Sequence, residues 1–204
     1  MNSIKAWLLN LVYGDPSRWL KKATAHHDAG RFDRAVKCLR KAYRATSKGE
    51  TSYPVETFLR LPLYLQKAGR FDEAWSEFHK LITDGYPNQL NDEGVRMMER
   101  AVVFDKMRLA LQRQGNVHEA VAYGVCSRVA EVAGLCLQCR ASEVARLVSD
   151  ESISALASKL QPSGAVRASA LEVGALLIKR VDLLPDLNVE EIVGEIRRIF
   201  SIPN

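Results

Sequence analysis

The segment Leu63-Tyr64-Leu65-Gln66-Lys67-Ala68-Gly69-Arg70-Phe71-Asp72-Glu73-Ala74-Trp75 restricts the accessible folds more than any other part of the chain. Apolar residues at helical spacing run up to Gly69 and restart at once at Phe71, which predicts two antiparallel helices joined by a very short turn. The same corner recurs upstream as Ala29-Gly30-Arg31-Phe32-Asp33-Arg34-Ala35. It recurs more loosely downstream as Gln114-Gly115-Asn116-Val117-His118-Glu119-Ala120. One such hairpin is common; three copies in one chain indicate a helical repeat array.

The remaining sequence divides around these corners. Residues 3 to 13 are expected to form a short amphipathic helix ending at Gly14, so that residues 1–14 cap the exposed end of the array. Asp15 caps the first repeat helix, about 16 to 28, and Pro16 suits its first turn because no backbone donor is needed there. Its partner runs from about 32 to 46. A loop at 84–94 separates the second unit from a long helix over 95–113, and another follows over 117–139, apolar enough to be well buried. Helices capped by Ser142 and Ser152, then 165–184 and 188–200, form a C-terminal extension over 141–204. No stretch alternates with period two long enough for a strand, so the fold class is all-α.

With 204 residues the chain can form one domain or a short superhelix, and 47% hydrophobic with 26% charged residues is ordinary for a folded soluble protein. The formal charge of +5 favours anionic partners but falls short of the dense basic patch of a dedicated DNA binder. Asn10 breaks the apolar run of Met1 to Tyr13, and no small-residue cleavage site follows it. No run approaches the roughly 20 apolar residues of a membrane span. A soluble, cytoplasmic protein is expected.

The order Trp19, Ala23, Gly30, Phe32, Ala35, Leu39, Ala42 resembles the tetratricopeptide repeat. A second unit aligns as Phe58, Leu61, Leu65, Gly69, Phe71, Ala74, Phe78 and Leu81, with Pro87 near the family's closing proline. A third aligns as Phe104, Met107, Leu111, Gly115, Val117 and Ala120. The resemblance covers roughly residues 16 to 132 and implies antiparallel hairpins stacked as a short right-handed superhelix over 15–140. The corresponding Ala35, Ala74 and Ala120 stand 39 and then 46 residues apart, against a family unit of about 34. Pro62 also falls where the second unit requires a small residue, and inside a helix it removes a hydrogen bond.

In such a superhelix the first helix of each pair lines a concave groove. Two residues beyond Trp19, Phe58 and Phe104 stand Lys21, Arg60 and Lys106, and one helical repeat further come Asp28, Lys67 and Arg113. Lys21, Arg60, Lys67, Lys106 and Arg113 therefore form the expected partner-binding set, similar to the carboxylate-gripping groove of some family members. The asparagines those members use are replaced by Thr24, Leu63 and Leu109. Tyr86, in the 84–94 loop, is expected to add an exposed aromatic contact. An alternative basic face lies on the partner helix at Arg34, Lys37, Lys41, Arg44 and Lys48, one charged stripe suited to phosphate or to an acidic protein surface.

Other chemistry is sparsely represented. Cys136 and Cys139, with Cys126 and His118 before them, have part of a zinc spacing but no second pair from a separate turn, so buried free thiols fit better. The four histidines belong to no nucleophile or metal motif. The expected protein is a non-enzymatic interaction module, an adaptor, regulator or inhibitor of a larger assembly, with no cofactor, metal or membrane. Its expected partner is another protein with an acidic segment. A nucleic-acid-associated module and a structural homo-oligomer, paired through 165–184, are the alternatives.

Overall fold

The computed structural model describes residues 14–160 and the single residue Arg198. The expected helices at 3–13, 165–184 and 188–200 lie outside the described residues. Among those described, the structure contains eight α-helices and no strand. They are α1 (Pro16–Asp28), α2 (Phe32–Thr46), α3 (Val55–Lys67), α4 (Phe71–Thr83), α5 (Glu93–Arg113), α6 (Val117–Leu137), α7 (Ala141–Leu147) and α8 (Asp150–Leu160). The chain divides into two compact units at Leu90/Asn91. The sequence-derived boundary near 140 falls inside the second unit, at the turn between α6 and α7.

The corners form as the sequence predicts, and for a definable reason. Gly30, Gly69 and Gly115 take φ values of +69°, +74° and +79°, the left-handed conformation that glycine adopts without steric cost. That conformation turns two backbone donors back onto the finished helix. Gly30 N–H reaches His27 O and Arg31 N–H reaches His26 O, and the same pair recurs at Gly69/Arg70 and Gly115/Asn116. Helix-terminal carbonyls are thereby satisfied within the corner. A fourth corner of the same geometry joins α6 to α7: Cys139 N–H reaches Cys136 O and Arg140 N–H reaches Leu135 O, with Cys139 at φ +56°. The CxxC spacing weighed as half a metal site is thus the end of a helix and its turn. Cys136 is half-buried there and Cys139 exposed.

In the first unit α1 packs on α2, α2 on α3 and α3 on α4, so successive hairpins share one core. Ala23, Ala35, Val36, Leu39, Leu61, Tyr64, Leu65 and Ala74 bury together, with Trp19, Leu20 and Tyr43 closing the edge. Fully buried leucines such as Leu39 and Leu65 each stabilise by about 1.5–3 kcal/mol relative to exposure. Asp15 caps α1 by accepting from Ser17 N–H at 2.9 Å. Arg60 braces α1 against α3, its Nη2 donating to Thr24 Oγ1 at 2.7 Å and to Leu20 O at 3.2 Å.

Pro62 lies buried inside α3, which stays helical through it. Lacking an N–H, it leaves the carbonyl of Phe58 without its usual helical donor. The Tyr43 hydroxyl supplies one from α2, shared between Thr57 O and Phe58 O. Burial pushes the Tyr43 phenol far above its ordinary pKa, so it stays protonated and able to donate. The loop after α4 is tied back in the same manner. The Asn88 amide donates to Thr46 O, Gly49 O and Thr51 O at 2.9–3.2 Å. Tyr86 is accordingly no free aromatic. It is half-buried and stacks on Phe58 with ring centroids 4.6 Å apart, because the anchored loop lays it against α3.

The second unit is built on one long pair, α5 and α6, followed by α7 and α8. The two backbones nearly touch: a Cβ added at Gly134 would lie 2.7 Å from Gly94 O, and one added at Gly94 would lie 3.1 Å from Gly134 O. Within α6, Glu119–Leu137 is 19 residues long with a mean hydropathy of 1.4 over its most apolar window, 72% of which is buried inside the protein. Read as a sequence, no segment reached this length; by length and composition this one is a spanning candidate. Its burial is that of a core helix packed on α5.

Candidate interaction surface

The charge of the protein is unevenly placed. Up to Leu90 there are fifteen Lys and Arg against nine Asp and Glu, and from Asn91 onward fourteen against fifteen. The basic excess therefore belongs to the first unit. Within it the exposed cations concentrate on α2, where Arg34, Lys37, Lys41 and Arg44 are all exposed, and Lys48 follows beyond the helix end. At about 100° per residue these four helical positions fall within an arc of about 80°. None of the five has a carboxylate partner among the described residues.

Both edges of this stripe are organised. On the α1 side the ammonium of Lys41 lies 4.6 Å from the centroid of the Trp19 ring, and Lys22 of α1 places a second ammonium 4.9 Å from it. The indole face holds both cations in a cation–π arrangement and widens the stripe onto α1. On the other edge the charges are paired. Arg70 bridges Asp33 at 3.1 Å and Glu73 at 2.7 Å, and Arg40 reaches Glu73 at 3.0 Å. The Arg70 guanidinium, followed by burial in the opposite sense and then Arg40, holds the Glu73 carboxyl below its ordinary range.

A second feature marks the start of the stripe. At three corners the turn residue grips a glutamate three positions on: Arg70 Nε to Glu73 at 2.7 Å, Asn116 Nδ2 to Glu119 at 2.7 Å and Arg140 Nε to Glu143 at 2.8 Å. A carboxylate there also suits the positive end of the helix dipole. The first corner alone has Arg34 in the glutamate position, and Arg31 turns instead to His26 Nδ1 at 3.1 Å. A cation in the first turn of α2 opposes the dipole. The local rule is broken where the basic stripe begins.

The residues expected to line a groove are placed as follows. Lys21 and Lys67 are exposed, on α1 and in the last turn of α3. Arg60 is half-buried over the Tyr64 ring at 5.5 Å, and its donors serve the α1–α3 brace. Lys106 and Arg113 belong to the second unit, on α5, with Lys106 Nζ 3.8 Å from Asp105. Four of the five residues of the alternative face, by contrast, come together on a single helix, and Lys48 follows just beyond its end. Sequence reasoning missed Lys22 and Trp19 as its neighbours, since the Trp19–Lys41 contact joins two helices; the missing glutamate at position 34 was legible by aligning the corners.

A small cleft of about 220 Å³ opens between α3, α4 and the following loop, lined by Tyr43, Phe58, Pro62, Glu77, Leu81 and Tyr86 among others. Among the described residues no group of three His, Cys, Asp or Glu side chains is arranged to hold a metal ion. Comparison with known proteins finds no matching protein-family model, curated protein or solved structure.

Proposed function

We propose that this protein is a non-enzymatic helical-repeat module that binds an acidic segment of another protein, acting as an adaptor or regulator in the cytoplasm. The single observation behind this reading is the unpaired basic stripe of α2, beginning at the one corner where a stabilising glutamate is replaced by Arg34. Local rules are most often broken where function requires it, and exposed cations without an internal carboxylate partner break no ion pair on meeting one. The four equivalent corners favour a tetratricopeptide-like stacking of hairpins as the scaffold, with Lys21 and Lys67 available on the first helices of the two hairpins of the first unit. Helical hairpin arrays characteristically present extended surfaces to proteins.

Fluorescence anisotropy with labelled poly-glutamate and labelled single-stranded poly-uridylate tests the reading. The acidic polypeptide is expected to bind, to weaken with salt, and to lose at least about tenfold in affinity when Lys37, Lys41 and Arg44 are changed to Glu. Preference for the polynucleotide, with a steep salt dependence, would transfer the stripe to nucleic-acid binding. An unchanged affinity in the triple variant would rule the stripe out.

A further inference from the structure

The spacing of the stripe narrows the kind of segment it suits. The four helical members, Arg34, Lys37, Lys41 and Arg44, follow one another at intervals of three, four and three residues, with Lys48 beyond the helix end. This alternation is that of the heptad, the spacing at which a row of side chains keeps facing a neighbouring helix instead of winding away from it. Resting on the reading just given, we infer that the acidic segment binds as an α-helix laid along α2, with its own Asp or Glu residues at alternating three- and four-residue intervals.

Geometry separates this from an extended segment. From Arg34 to Arg44 the stripe climbs about 15 Å in three intervals, at 1.5 Å per residue. Carboxylates on one side of an extended chain recur every second residue, about 6.7 Å apart, and span about 20 Å over three intervals. By the fourth contact an extended partner has run ahead by about 5 Å, one mean interval of the stripe, whereas a helix with the same heptad spacing stays in register. The stripe is also bounded. Asp33 and Glu73 flank one edge in ion pairs with Arg70 and Arg40, a charge-balanced border that offers no uncommitted cation to a wider polyanion. On the other edge the Trp19 ring holds Lys41 and Lys22, 4.6 and 4.9 Å from its centroid, and continues the row of cations onto α1. A single acidic helix seated between these edges meets cations alone. A nucleic-acid duplex, with phosphates on two strands, overlaps the charge-balanced edge as well and gains nothing there.

Two labelled peptides of identical composition and about four turns in length test the inference. One carries glutamates at three–four spacing on one face; in the other the same glutamates are distributed around the helix. Anisotropy titration of the full-length protein is expected to give about tenfold tighter binding of the patterned peptide, with a gain of helical circular dichroism on binding. Lys37→Glu is expected to abolish most of that preference, its own far-ultraviolet spectrum verifying the fold. Equal affinities for the two peptides, or binding without helix gain, would overturn the helical partner while leaving acidic-segment binding intact. Failure of both peptides alongside tight poly-uridylate binding would overturn both readings.

Discussion

The two units of this protein stabilise the same element, an antiparallel helical hairpin, with different proportions of polar ties and apolar contact. The first packs thirteen- and fifteen-residue helices and then ties them with polar braces: Arg60 to α1, Tyr43 to the carbonyl freed by Pro62, Asn88 to the end of α2, and Arg70 between two corners. The second places two twenty-one-residue helices backbone to backbone at Gly94 and Gly134. Its α6 is almost wholly apolar where it faces α5. The long pair relies chiefly on apolar area and close approach, with Ser127 Oγ donating to Ala101 O across it and Arg128 tying α6 to Leu147 O and Ser152, while the short helices of the first unit are tied at several more places. None of those ties uses the exposed cations Arg34, Lys37, Lys41 and Arg44 of α2.

The comparison is broken most severely at the α5–α6 crossing. Gly134→Leu drives a side chain into the backbone of α5, which cannot yield as a side-chain tip would; a loss of about 3 kcal/mol or more is expected in chemical denaturation. Next in size is Tyr43→Phe, expected to cost about 1–3 kcal/mol by leaving a buried carbonyl unpaired. Pro62→Ala returns a backbone donor to Phe58 O, so the Tyr43→Phe cost should shrink in that background. An additive double-mutant cycle would refute the link between these residues.

The four corners permit a finer comparison. Cys139→Gly removes the strain of a side chain at positive φ and is expected to stabilise by about 1 kcal/mol, whereas Gly69→Ala is expected to cost about as much. Arg34→Glu restores the glutamate found at the other three corners and is expected to raise stability by about 0.3–1 kcal/mol in thermal unfolding, while weakening the acidic polypeptide. A variant that is both less stable and an equally good binder would show that Arg34 serves the fold. The smallest effect concerns Glu73. Its folded-state pKa is depressed by Arg70 first and Arg40 after it, so its contribution is present above the ordinary glutamate range and disappears as pH falls through the lowered value. The acid-induced drop in melting temperature should be slightly shallower for Glu73→Gln, and the difference should vanish in high salt.

Much of the fold was legible because the relevant signals are local. Asp15-Pro16 marked the start of α1, and Gly30, Gly69 and Gly115 marked three corners, because capping and positive φ depend on a few adjacent residues. The fourth corner escaped notice because Cys139 holds a conformation usually given to glycine, although the Arg140/Glu143 pair repeats Arg70/Glu73 three residues apart. Pro62 was read as an irregularity, and Tyr86 as exposed. The hydrogen bond lost at Pro62 is as expected, but its replacement by Tyr43 and the stacking of Tyr86 on Phe58 were not foreseen, for one reason: Tyr43 and Phe58 lie 19 and 28 positions away in the chain.

What the sequence determined by itself is the hairpin as a repeated unit, the all-α class and the existence of a basic stripe at three- and four-residue spacing. Each follows from rules that act within one or two helical turns. Tertiary structure alone decided which cations remain available. Arg60 and Lys41 are equally basic in sequence, yet one guanidinium is committed to Thr24 and the backbone of α1, while the other charge rests on the face of Trp19 at the protein surface. A charge becomes a binding group only when no neighbour has already taken it, and the neighbours are chosen by packing.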